Sequence, residues 1–159
     1  MRNTVRAGSI AVLALGFGWV AAAVPSNGAD PAPLKFSVST TPSAVGPGSV
    51  TSVTLQLEPK PGIKLNKYPK IKLEVPAVAG LVAAAEQSMG NAAPPPLDQL
   101  DANYFHGGVD PLKVALHVDA DAPKGRHELH AKLSYFYCVT ASGYCAPAKA
   151  DVTIPITVR

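Results

Sequence analysis

Apolar residues recur at every second position through most of this chain, and that period commits it to sheet structure. Leu34, Phe36 and Val38 alternate with polar residues, as do Val53, Leu55 and Leu57. The pattern returns at Ile71, Leu73 and Val75 and at Leu112, Val114, Leu116 and Val118. It is longest at Leu129, Ala131, Leu133, Tyr135 and Tyr137, and it closes with Val152, Ile154, Ile156 and Val158. Successive side chains of a strand point to opposite faces, so each run offers one face to a core and one to water. That is the habit of antiparallel sheets. Stretches rich in Pro and Gly at 42–48, 59–62 and 119–125 separate the runs, because such residues favour turns and interrupt a ladder. Six or more short strands punctuated this way predict an all-β, antiparallel β-sandwich.

Residues 76–103 fit the pattern less well. The Ala-rich stretch 78–89 suits a short helix or a poor strand, and 92–96 reads as an extended polyproline-like segment that neither a helix nor a central strand accepts. An irregular excursion of this length in a compact sandwich is expected to be a binding loop or a mobile one.

The N-terminus speaks to compartment. Arg2 and Arg6 precede an apolar run at 10–24, and small residues follow. This predicts a signal peptide over 1–29, cleaved after Ala23 or Ala29, ahead of one domain at 30–159. Without Arg2 and Arg6 the remaining chain carries 12 basic against 11 acidic residues. Near-neutrality of that kind gives no electrostatic footprint for nucleic acid. With no second apolar span, stable membrane insertion of the mature chain is not expected either. An exported, periplasmic or otherwise extracytoplasmic domain with two cysteines normally has them paired.

Those two cysteines are Cys138 and Cys145, with six residues between them and Ser142-Gly143 to make the turn. The flanking runs, 128–137 and 150–158, are adjacent in sequence and predict a hairpin. Parity then places the sulfurs. In the first strand the odd positions are apolar, so Cys138 continues the polar face with Glu128, His130, Lys132 and Ser134. In the second the even positions are apolar, so Cys145 falls on the polar side with Lys149, Asp151 and Thr153. Both sulfurs are expected on the exposed face, within reach of another protein, provided no bulge shifts the register. Composition and parity leave a structural staple and a redox site equally open.

The segments LSYFYC at 133–138 and GYCAP at 143–147 resemble the cysteine hairpin of the N-terminal periplasmic domain of the thiol:disulfide interchange protein DsbD. Upstream, DANYFHG at 101–107 is similar to the acidic–aromatic–Gly cap loop of that family. The order of turn, cap, cysteine hairpin and last strand also matches. The resemblance implies an immunoglobulin-like sandwich and a reversible Cys138–Cys145 disulfide. Cys145 would form mixed disulfides and Cys138 would resolve them. Asp101, Tyr104 and Phe105 would belong to the cap, with Tyr104 and Phe105 shielding the pair, and Tyr135, Tyr137 and Tyr144 would be hairpin aromatics near the site.

The hairpin is one residue longer than the family spacing, and the chain has no Cys-x-x-Cys. The reductant is therefore expected in trans, as a thioredoxin-like domain or membrane thiol carrier, with extracytoplasmic thiol or disulfide proteins as the other partners. No cofactor is implied. The competing expectation is a non-catalytic immunoglobulin-like binding or assembly module with a structural disulfide.

Other constellations offer less. His127 and His130 are three apart on a strand and so point to opposite faces, which spoils chelation. His117 and His106 stand alone, and no metal site is expected. Lys60, Lys64, Lys67, Lys70 and Lys72 crowd one turn and strand. They read first as a solvated, aggregation-resistant edge and second as a docking surface for an acidic partner.

Overall fold

A computed structural model of the protein describes residues 32–159 except 79, 84 and 85. The expected signal peptide and both cleavage positions lie outside the described residues. Ten strands follow in order: β1 (Leu34–Thr41), β2 (Ala44–Val45), β3 (Val50–Pro59), β4 (Ile63–Leu65), β5 (Ile71–Glu74), β6 (Leu81–Ala83), β7 (Glu86–Met89), β8 (Leu112–Val118), β9 (Gly125–Val139) and β10 (Cys145–Val158). A 3-10 segment, Leu97–Asn103, sits between β7 and β8.

The strands form two sheets, one ordered β1-β3-β8-β6 and the other β2-β10-β9-β5-β7, with β4 also paired to β9. Every pairing between them is antiparallel except the short β2–β10 contact. The fold is an all-β antiparallel sandwich, as the alternation predicts. The runs at 112–118, 129–135 and 152–158 supply inward faces from both sheets, and Leu73, Leu81, Leu129 and Leu133 are wholly buried between them.

The structure decides one open alternative and adjusts one expectation. The Ala-rich stretch forms strands, β6 and β7, because Leu81 finds a core position beside β8 while Glu86–Met89 closes the edge against β5. In β1 only Leu34 is buried, and Phe36 is 37% exposed. β1 is an edge strand, so its inward face is covered along part of its length only.

The hairpin β9–β10 is the long spine of the six-stranded sheet. Its register runs unbroken from Gly125↔Val158 to Cys138↔Cys145, so no bulge disturbs the parity read from sequence. On the inner face Tyr135 and Tyr137 lie opposite Ala148 and Ala146. Pairing large against small residues lets the aromatic rings fold over the neighbouring strand without overpacking.

Gly90 connects this scaffold to the segment that covers β4. Its φ is +114°, and a Cβ there would collide with the carbonyl oxygen of Lys67, which accepts a hydrogen bond from Asn91 N at 2.8 Å. Gly90→Ala is therefore expected to cost about 2 kcal/mol or more in chemical denaturation, from strain plus backbone displacement. Gly46→Ala, where a Cβ meets nothing within 4 Å, should stay within about 0.5 kcal/mol of wild type.

Candidate functional site

Cys138 and Cys145 are register partners at the turn end of the hairpin, with Cα atoms 4.0 Å apart, and they form a disulfide. Both project from the outer face of the six-stranded sheet, the face that parity assigns them. Their exposure differs from the expectation. Cys145 is exposed, but Cys138 is buried at 5%. Facing away from the core is not the same as facing water, because strand pieces that extend the same sheet beyond β9 carry side chains over Cys138.

Alternation builds that cover. β4 pairs with β9 so that Lys64 lies opposite Cys138 and Leu65 opposite Tyr137. Leu65 points into the core, so Lys64 and Asn66 point outward, beside the sulfur. Tyr104 then bridges Asn66 on the far side of β4, and Phe105 N donates to Leu65 O at 3.0 Å. Bridged residues share a face. Tyr104 therefore follows Asn66 outward, and its hydroxyl reaches Cys138 Sγ at 3.6 Å. Phe105 goes the other way and packs against the core, with Lys67 Nζ 5.9 Å from its ring centre. Of the two aromatics expected over the cysteines, Tyr104 alone stands there.

Several contacts fix Tyr104 in place. The Asn103 side chain accepts from Tyr68 N and donates to Tyr68 O, both at 2.9 Å, while Lys67 N donates to Asn103 O at 2.6 Å. Asp101 holds the loop from the solvent side. One of its carboxylate oxygens pairs with Lys64 Nζ at 3.3 Å and the other with His106 Nε2 at 3.3 Å. Lys64 Nζ also lies 4.6 Å above the Tyr104 ring, a cation–π placement.

The underside of Cys138 is closed by Asn66, which is 6% exposed and whose Oδ1 lies 3.5 Å from the sulfur. A disulfide sulfur carries no hydrogen, so in this oxidised form the approach is a contact and not a donated bond. A thiol at the same position has the hydrogen to give.

The remaining aromatics divide by parity. Tyr135 and Tyr137 lie on the core side of the sheet, opposite the disulfide, with ring centres 6.3 Å apart. Burial, helped by Tyr137 beside it, raises the pKa of Tyr135 above the ordinary 10.0. Tyr144 is in the turn and 59% exposed, next to Cys145. Lys64, Asn66 and Phe136 were missed in sequence. Lys64 and Asn66 share even numbering with Cys138, but only the pairing of β4 with β9, invisible in a three-residue strand, brings them to it. Phe136 is one outer-face step from Cys138, and parity alone would have found it.

The histidines are dispersed. His106 contacts Asp101, and His127 Nε2 lies 2.7 Å from Pro123 O. Among the described residues no group of three or more His, Cys, Asp or Glu side chains is placed to hold a metal, and no helix is long and apolar enough to cross a membrane.

Fold and site together define a class: an antiparallel β-sandwich with one cross-strand disulfide at the turn end of its central hairpin. No protein-family model matches the chain, and no curated protein matches it. Among solved structures it is similar to AggA, the major subunit of aggregative adherence fimbriae type I from Escherichia coli. That likeness has 13% identity and a TM-score of 0.40, covering 79% of this chain and 95% of that one. A likeness so distant says nothing about function.

As a staple the disulfide has little to hold. Fourteen consecutive residue pairs already join β9 to β10, and the turn is closed by Val139 N donating to Tyr144 O at 2.7 Å and Gly143 N to Val139 O at 2.9 Å. Closing a loop this short adds about 2.5 kcal/mol in the chain-entropy model. The reduced protein is expected to keep its far-UV circular dichroism and to lose no more than about 2.5 kcal/mol in denaturant titration. Unfolding on reduction would mark the bond as structural.

Proposed function

We propose that the Cys138–Cys145 disulfide is a reversible exchange site. It would relay reducing equivalents from a thioredoxin-like domain or membrane thiol carrier, acting in trans, to extracytoplasmic thiol or disulfide proteins. The observation that carries this reading is the unequal exposure of two bonded sulfurs: Cys145 open, Cys138 capped by Tyr104 and Asn66. A symmetric staple has no use for that asymmetry, whereas exchange requires one sulfur to be attacked and the other to leave.

The chemistry follows from the placement. A partner thiolate attacks Cys145 Sγ and forms a mixed disulfide, and the Cys138–Cys145 bond breaks with its electron pair going to Cys138. The Tyr104 hydroxyl, 3.6 Å away, donates to the departing thiolate, and Lys64 beside it adds positive charge. Hydrogen bonds to an ionised group are the stronger kind. When Cys138 takes up a proton, the thiol donates to Asn66 Oδ1, a buried acceptor that the disulfide leaves without that donor. Satisfying a buried polar group is worth about 1–3 kcal/mol, and here it favours the reduced state. The partner's second thiolate then attacks its own sulfur in the mixed disulfide and releases Cys145. Two electrons have moved: the partner leaves as a disulfide and this protein holds the dithiol. The reverse sequence hands them on.

Cys145 needs no loop movement to be reached, because it is already exposed. Tyr104 protects the resolving sulfur, not the attacked one. The reading is tested with single-cysteine variants and a thiol-specific reagent. Cys145 in Cys138→Ser should react at least about tenfold faster than Cys138 in Cys145→Ser, because Cys145 is exposed and burial keeps the reagent from Cys138. Adding Tyr104→Ala to Cys145→Ser should narrow the gap. Equal reactivity of the two sulfurs, or a faster Cys138, contradicts the assignment.

A further inference from the structure

On the outer face of the six-stranded sheet, the disulfide is the first of three cross-strand rows. Cys138 lies opposite Cys145, Phe136 opposite Pro147, and Ser134 opposite Lys149. Side chains on one face of a strand recur about every 6.8 Å, so the apolar row and then the lysine row follow the exposed sulfur at regular steps. The second and third rows floor a trough of about 380 Å³, walled on the β5 side by Lys70 and Lys72.

The charge of this trough has one sign. Three lysines line it and no carboxylate does. Lys72 is engaged by Glu86 at 3.0 Å, but among the described residues neither Lys70 nor Lys149 has a carboxylate partner. The five lysines crowded in the sequence are thus dispersed. Lys60 stays in the turn between β3 and β4, Lys64 goes to Asp101 and Tyr104, Lys67 to Phe105 and Lys72 to Glu86. Only Lys70 joins Lys149, 79 positions later in the chain, in a free positive pair beside the apolar floor.

We propose that this trough is the docking surface for the extracytoplasmic disulfide protein that takes electrons from Cys145, and that this partner presents its cysteine on an extended acidic segment. The spacing specifies the segment. With its cysteine at Cys145, an apolar side chain two residues on meets Phe136 and Pro147. An Asp or Glu four residues on reaches Lys149 in the third row, with Lys70 on the wall one row nearer the sulfur, level with Phe136. The inference rests on the exchange reading above and names the partner chemistry for that site. Opposite charge across such a surface raises the rate of encounter more than it deepens affinity.

The test uses the reduced protein and two peptides, Cys-Ser-Leu-Ser-Glu and Cys-Ser-Leu-Ser-Lys, each with its cysteine held as a mixed disulfide with thionitrobenzoate. The Cys145 thiolate attacks the peptide sulfur and thionitrobenzoate leaves as the thiolate, which is coloured. Cys138 then attacks Cys145 Sγ, releasing the peptide thiol and restoring the internal disulfide. At low salt the Glu peptide is expected to react about tenfold faster than the Lys peptide, and the difference should shrink near 0.5 M salt as screening shortens the field. In Lys70→Glu/Lys149→Glu the preference should invert. The rate with 2-hydroxyethyl 2-pyridyl disulfide, a small neutral disulfide that releases pyridine-2-thione, should not change, which reports an intact fold and an unaltered Cys145.

Equal rates for the two peptides with the wild-type protein would overturn the docking surface while leaving the exchange reading standing. Failure to react with the small neutral disulfide would overturn the exchange reading. Docking is then read separately, by nuclear magnetic resonance titration of the oxidised protein with Ser-Ser-Leu-Ser-Glu. Amide shifts concentrated at Ser134, Phe136 and Lys149 support the surface, and their absence overturns it.

Discussion

The register of β9 against β10 is the constraint on which the rest of this structure depends. Because Cys138 pairs directly with Cys145 and the ladder behind them has no bulge, every second residue of both strands is committed to one face. The core face collects Leu129, Leu133, Val152 and Ile154. The outer face collects the disulfide, Phe136 with Pro147, and Ser134 with Lys149. A slip of one residue would exchange these sets, pointing the sulfurs into the sandwich and the leucines into water. Burial of the core face therefore fixes the geometry of the site without any contact made by the site itself.

A lateral extension of the same sheet makes the two sulfurs unequal. β4 and the residues after the 3-10 segment add two short extended pieces beyond β9, and their alternation decides which side chains reach Cys138. Asn66 and Tyr104 fall outward; Leu65 and Phe105 fall inward. Asn103 and Gly90 hold this extension through backbone contacts around Lys67 and Tyr68. The difference between an attackable sulfur and a protected one is thus a consequence of strand parity applied twice.

Much of this was legible in the sequence. Long alternating runs such as 129–137 and 152–158 carry their own phase, so fold class, hairpin and the outer-face placement of both cysteines could be read without coordinates. Burial of Cys138 could not, because it depends on contacts between Cys138, Asn66 and Tyr104, which are far apart in the chain and lie on segments too short to show a period. Phe105 was expected beside Tyr104 over the cysteines, yet adjacent residues of an extended segment cannot share a face, and the bridge of Tyr104 to Asn66 settles which one does. The lysines illustrate the converse. Their closeness in sequence suggested one patch, but turns at 60–62 and 66–70 send them to different neighbours, and the positive pair that remains draws on β10.

Whether the half-buried bond is a relay or a staple comes down to how strongly it resists reduction. Structural disulfides have potentials below about −300 mV, whereas exchanging ones lie above that value. Asn66 and Tyr104 both favour the reduced form, so the potential of the Cys138–Cys145 pair, measured by equilibration against glutathione or thioredoxin, should lie above about −300 mV and fall in Asn66→Ala. A value well below about −300 mV, unmoved by that substitution, would contradict the account and leave the disulfide a structural bond in a β-sandwich.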